Sequence, residues 1–138
     1  MEKYPNQKLE KEWVQQEITP DVVKWTRSFG EHLQKSDHQS KGLTTSQIRK
    51  FFGELKRIQA DPDKFKESIP LLKAKLAYAV GRDLKKNGSS TTKIRDFQEE
   101  LDKGLDGIRP GNHEDLMRFI KIVESIVAYH KFFGGKDN

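Results

Sequence analysis

With 138 residues, 33% of them hydrophobic and 34% charged, the chain has room for one small core beneath a heavily charged surface. The absence of cysteine excludes disulfides, thiolate zinc sites and cysteine nucleophiles, and no run approaches the ~18 apolar residues of a membrane span. The net charge of +5 is unevenly spread: residues 41–86 hold 12 Lys/Arg against 5 Asp/Glu, a concentration that fits phosphate binding and equally an acidic membrane or protein.

Residues 1–18 read as a polar N-terminal arm that docks through Trp13, ahead of a single helical domain over 19–135. The opening MEKYPNQKLEKEW carries no apolar signal region, so a cytoplasmic protein is expected. Thr19-Pro20 is an N-cap followed by proline at the first helical position. Val22, Trp25, Phe29 and Leu33 continue at helical spacing, which predicts a helix from Pro20 to Lys35. Ser36 to Gly42 is a loop by composition.

The next stretch, TTSQIRKFFGELKRIQA (Thr44 to Ala60), organises the chain. Thr44 and Gln47 match a capping box. At about 100° per residue, Ile48, Phe51, Phe52, Leu55 and Ile58 share one arc, and Arg49, Lys50, Lys56 and Arg57 share the opposite one around Gly53. Asp61 to Asp63 breaks this helix and starts a short turn through Phe65. Ser68-Ile69-Pro70 marks another start, and Leu72, Leu76, Ala79 and Val80 share a face to about Lys86. Asn87 to Ser90 is a break able to serve as a hinge.

A fourth helix is predicted from Thr91 to Asp106, with a narrow stripe of Ile94, Phe97, Leu101 and Leu105 beside Asp96, Glu99, Glu100 and Asp102. Gly107 to Asn112 is turn chemistry, and Asn112 or His113 caps the last helix, Glu114 to Phe133. Apolar residues cover about half the circumference of that helix, which suits a central strut. Gly134-Gly135 ends it. Sustained period-two alternation is missing throughout, so the fold class is all-α, a compact bundle of about five helices.

No catalytic constellation emerges. His32, His38, His113 and His130 show no metal-ligand spacing, and His130 falls within an apolar arc as a core or interface histidine. The carboxylates at 96–102 have no second cluster to complete a metal site and read as an exposed acidic face, available to a basic partner. No enzyme activity, metal or cofactor is expected.

The basic faces carry the binding expectation. Arg49 and Lys56 stand about 10 Å apart along the helix axis, and Lys50 and Arg57 repeat that spacing. Gly53 between them either admits a sugar-phosphate backbone or relieves packing against a neighbouring helix. In the following helix Lys75, Arg82 and Lys86 form a stripe roughly opposite the Leu/Ala face, with Tyr78 and Lys85 beside it and Gly81 interrupting it. Few aromatics are free for stacking. Long cations without base-edge groups imply recognition of backbone and shape.

LTTSQIRKFFGELKRI (Leu43 to Ile58), LLKAKLAYAVGR (Leu71 to Arg82) and FIKIVESIVAYHKFFGGKD (Phe119 to Asp137) together resemble the small subunit of the type III-A CRISPR effector, the Csm complex. The resemblance implies a non-catalytic helical subunit of an antiviral, RNA-guided interference complex. Copies stack into a minor filament, self-associating and meeting other subunits, and the basic face contacts the backbone of the guide RNA–target RNA duplex. Carried over by position, Arg49, Lys50, Lys56 and Arg57 and then Lys75 and Arg82 are the RNA-contact candidates. Gly53 belongs with them by its place on the face, and Lys85 and Lys86 by helical spacing alone. The acidic 96–102 face is expected to dock on the next copy or on a backbone subunit. A helix-turn-helix-like DNA-binding regulator and a metal-dependent helical nuclease are the alternative classes.

Overall fold

The computed structural model describes residues 8–135, apart from 39, 62, 64 and 85–90. The Thr19 hydroxyl accepts the Val22 N–H at 3.3 Å, and with Pro20 at the first position this fixes the start of α1, Pro20–Gln34. The others are α2 (Thr45–Ala60), α3 (Phe65–Asp83), α4 (Ile94–Gly107) and α5 (His113–Phe132), preceded by a single 3-10 turn, Lys11–Gln15. Among the described residues there is no strand. An isolated bridge between Lys41 and Thr92 ties the α1–α2 loop to the entry of α4.

The strut expected at the C-terminus is present. α5 packs most extensively on α1 and also meets α2, α4 and the 3-10 turn. A Cβ added at Gly30 would come within 2.8 Å of the His130 backbone nitrogen, so the α1–α5 crossing is close because Gly30 has no side chain. Trp13 meets Trp25 edge-on at 5.4 Å and Trp25 stacks on Phe29 at 4.9 Å, carrying the core into the N-terminal segment. Fully burying a side chain such as Phe29 is worth roughly 1.5–3 kcal/mol.

The N-terminal segment is tied down beyond Trp13. Leu9, Trp13 and Val14 are all buried. The Leu9 N–H donates to Glu100 at 2.9 Å and the Gln15 amide to the Gly107 carbonyl at 2.8 Å. Gly107 permits that approach, since a Cβ there would lie 2.0 Å from the Lys11 carbonyl oxygen.

α3 differs from its expected start. One continuous helix begins at Phe65 and holds Pro70 as its sixth residue. At that position, past the first four N–H groups that lack an intrahelical acceptor, Pro70 forfeits the one backbone bond to the carbonyl of residue 66. α4 begins at Ile94 rather than Thr91, with the Thr92 hydroxyl accepting the Ile94 N–H at 3.3 Å. Asn112 is the cap of α5, its side chain accepting the Asp115 N–H at 3.0 Å, and Gly134 at φ 102° ends the helix.

Candidate nucleic-acid interface

The capping box that begins α2 is complete. The Thr44 hydroxyl accepts the Gln47 N–H at 3.1 Å, while the Gln47 side chain accepts the Thr44 N–H at 3.0 Å and donates to Thr92 at 3.1 Å. With its start fixed and Ile48, Phe51, Leu55 and Ile58 buried, α2 turns Arg49, Lys50, Gly53, Lys56 and Arg57 to solvent. Phe52 is half-buried and lies under the Lys56 ammonium at 5.5 Å. A Cβ built on Gly53 meets nothing within 4 Å. Among the described residues, then, no neighbouring helix of the chain needs the room this glycine leaves.

On α3, Lys75, Tyr78 and Arg82 are exposed, and the Arg82 guanidinium stands 5.9 Å from the Tyr78 ring centre. Gly81 also opens onto empty space. The two helices enclose a hollow of about 520 Å³, floored by Phe51, Leu76 and Ala79 and rimmed by Lys50, Lys75 and Arg82. Because Ala79 shares that hollow with Lys75 and Arg82, the basic stripe of α3 borders its apolar face instead of opposing it. A second hollow of about 260 Å³ follows along the same seam, lined by Arg57, Leu71 and Lys75 among others.

Glu54 lines both hollows. It accepts from Lys75 Nζ at 2.6 Å and from Arg57 Nη1 at 2.8 Å, joining the basic faces of the two helices. The Lys75 hydrogen bond, aided by the nearby charges, holds its carboxyl below the ordinary carboxylate value. The structure thus brings Lys50, Arg57, Lys75 and Arg82 onto one seam. Arg49 and Lys56 lie outside both hollows, on the outer side of α2 with Gly53. Lys85 and Lys86 fall outside the described residues. Sequence reasoning passed over Glu54, although its place three residues before Arg57 on a basic face was a usable signal.

The acidic face expected at 96–102 is dispersed. Asp96 is buried against His32 at 2.7 Å. Glu100 is wholly buried, accepting from Leu9 and Lys103. Asp102 is half-buried, its carboxyl pushed up chiefly by desolvation. Of the four only Glu99 is exposed, so they form no docking surface. Burial of Asp96 and Glu100 follows from partners far away in sequence, which satisfy both carboxylates in the core. Among the described residues no group of three His or carboxylates could hold a metal ion.

His130 is the core histidine expected of it. Nε2 lies 2.5 Å from the Leu43 carbonyl oxygen, so that nitrogen carries the proton, and desolvation lowers the imidazole's pKa.

A family model described as Csm2 Type III-A matches residues 16–136. The chain belongs to the Csm2 family. A curated relative from Streptococcus thermophilus, named "CRISPR system Cms protein Csm2", is 31% identical over 112 residues, spanning 76% of this chain and 84% of that one. No solved structure matches the chain. Membership makes this Csm2-family chain a small subunit of the type III-A CRISPR effector complex, with the other subunits of that complex as partners. Among the described residues no helix is long and apolar enough to cross a membrane.

Proposed function

We propose that this Csm2-family subunit works without catalysis of its own in the cytoplasm, stacking with further copies into a minor filament whose α2–α3 face tracks the backbone of the guide–target RNA duplex. The observation that carries this reading is the convergence of Lys50, Arg57, Lys75 and Arg82 on one seam, with Arg49, Lys56 and the open Gly53 beside it. Such cations recognise phosphates and carry little sequence information. On helical spacing, Lys85 and Lys86 extend the same surface. A few phosphate contacts per copy bind weakly at physiological salt, and a row of copies on one strand multiplies them. The acidic 96–102 segment is left out of this reading, since Asp96 and Glu100 are buried and Asp102 is half-buried.

Replacing Arg49, Lys56 and Arg57 together with alanine tests the reading. All three side chains are exposed, so the helical signal in circular dichroism should persist. The slope of log affinity against log salt for target RNA should become shallower by about 1.4, from Arg49 and Lys56 at about 0.7 each, since Arg57 is held by Glu54. An unchanged slope refutes this surface. Co-purification from the native host with guide RNA and backbone subunits checks the assembly.

A further inference from the structure

We propose that the larger α2–α3 hollow takes one unpaired nucleotide of the bound RNA, its base laid on Tyr78 and the apolar floor and its phosphate at Lys50 and Arg82. This rests on the RNA-backbone reading above and deepens it. Phosphate tracking needs a row of cations; it does not need a hollow of about 520 Å³ floored by Phe51, Leu76 and Ala79. That volume and lining are those of a small-molecule site, largely apolar with a few polar groups at the edge.

The rim supplies the stacking surface that composition alone did not reveal. Tyr78 is 68% exposed at the mouth of the hollow, with the Arg82 guanidinium 5.9 Å from its ring centre. Aromatic rings and guanidinium planes are the groups on which unpaired RNA bases stack. Charge sets the polarity of the bound unit. Lys75 is ion-paired to Glu54 at 2.6 Å, whereas Asp83, the other carboxylate of the lining, is turned to the Thr92 N–H, which leaves Lys50 and Arg82 for the phosphate. The remaining polar groups are already engaged: the Gln47 amide donates to Thr92, and Asp83 accepts the Thr92 N–H at 2.7 Å. With those hydrogen bonds committed, the hollow offers a stacking surface and almost no base-edge readout. It accepts any base.

The test uses the full chain with a single-stranded RNA carrying 5-iodouridine, cross-linked by light and mapped by mass spectrometry. The cross-link should fall on Tyr78. Tyr78→Ala should weaken binding at least about fivefold, the lower end of single-base stacking effects, and leave the salt slope unchanged, whereas Tyr78→Phe should bind as the parent does. An RNA of abasic ribose should bind the parent more weakly than ordinary RNA and should not distinguish the parent from Tyr78→Ala. If Tyr78→Ala binds RNA normally while the Arg49/Lys56/Arg57 variant still loses affinity, the nucleotide site is overturned and the backbone reading stands. If neither variant loses affinity, both fall. Weaker subunit assembly by Tyr78→Ala in the absence of RNA would make the hollow a protein-docking site and also overturn the proposal.

Discussion

Replacing Glu54 with glutamine should tighten RNA binding while scarcely changing the fold. Its carboxylate holds Lys75 Nζ at 2.6 Å and Arg57 Nη1 at 2.8 Å. The lysine and arginine side chains are 54% and 73% exposed, so each pair belongs to the solvent-screened class worth about 0–1 kcal/mol. Loss of stability should therefore stay near 1 kcal/mol. The effect on RNA is of another kind, because both cations are released to phosphates. At about 0.7 per contact on a single strand, the log–log salt slope should steepen by up to about 1.4. Fluorescence anisotropy across a potassium chloride series measures it. The stability difference also has a pH signature. Glu54 has a folded pKa depressed below 4.5, so its contribution is present above that value and is lost as pH falls through the lowered one. Parent and variant should melt alike in strong acid. A slope that stays the same, or RNA binding that weakens, would refute the idea that Glu54 competes with phosphate for these two side chains.

Gly53→Ala and Gly81→Ala should each stabilise the isolated protein by up to about 1 kcal/mol in thermal melts, since neither Cβ meets a neighbour. Gly53→Glu should fold yet block RNA, and normal RNA binding by it would remove Gly53 from the interface. Glu99→Lys should change stability by less than about 0.5 kcal/mol, while Glu100→Lys should lose roughly 3–5 kcal/mol through an unpaired buried charge and an orphaned Leu9 N–H; equal melting temperatures would contradict that burial. Below pH 6.5 the folded protein should lose stability, because His130 is held below that value and the unfolded chain takes up the proton first. Urea midpoints measured against pH for the parent and for His130→Gln should differ in that step, and identical profiles would exclude it.

Helices were legible where one segment carries its own instructions. Thr19-Pro20 and the Thr44–Gln47 box each fix a start without help from the rest of the chain, and both starts are where those residues predict them. Legibility failed where a distant partner decides. Whether an acid on α4 is exposed depends on a backbone N–H 91 residues away at Leu9 and on an imidazole 64 residues away at His32. One local signal did exist: Glu100 and Gly104 interleave with Phe97, Leu101 and Leu105 on the same arc, so a charge on that arc had to be paired. For the candidate site, the sequence gives the two basic stripes and not the seam between them. Which cations converge depends on how α2 rolls against α3, with Phe51 and Leu76 buried at the floor between them. The exposed ring of Tyr78 beside Arg82 becomes a feature only once the hollow exists.

The glycines separate what the fold needs from what it tolerates. A Cβ at Gly30, Gly104 or Gly107 would come within 2.8, 2.7 or 2.0 Å of the His130 backbone, the Phe119 ring or the Lys11 carbonyl. These three positions let α1 and α5, α4 and α5, and the N-terminal turn and α4 approach closely. Gly53 and Gly81 meet nothing within 4 Å, although each lies inside a helix where glycine is less favourable than alanine by about 1 kcal/mol. Together that is about 2 kcal/mol in a domain whose whole stability is on the order of 5–15. Among the described residues no close approach requires either of them. Both stand on the two helices that carry the basic seam, Gly53 between Arg49 and Lys56 and Gly81 next to Arg82. A bare helix surface at those points is useful only to something arriving from outside the chain, and the neighbouring cations fit a polyanion better than another apolar face. Helix stability given up without a packing return thus points to the same surface as the charges, and the charges are needed only to say what arrives there.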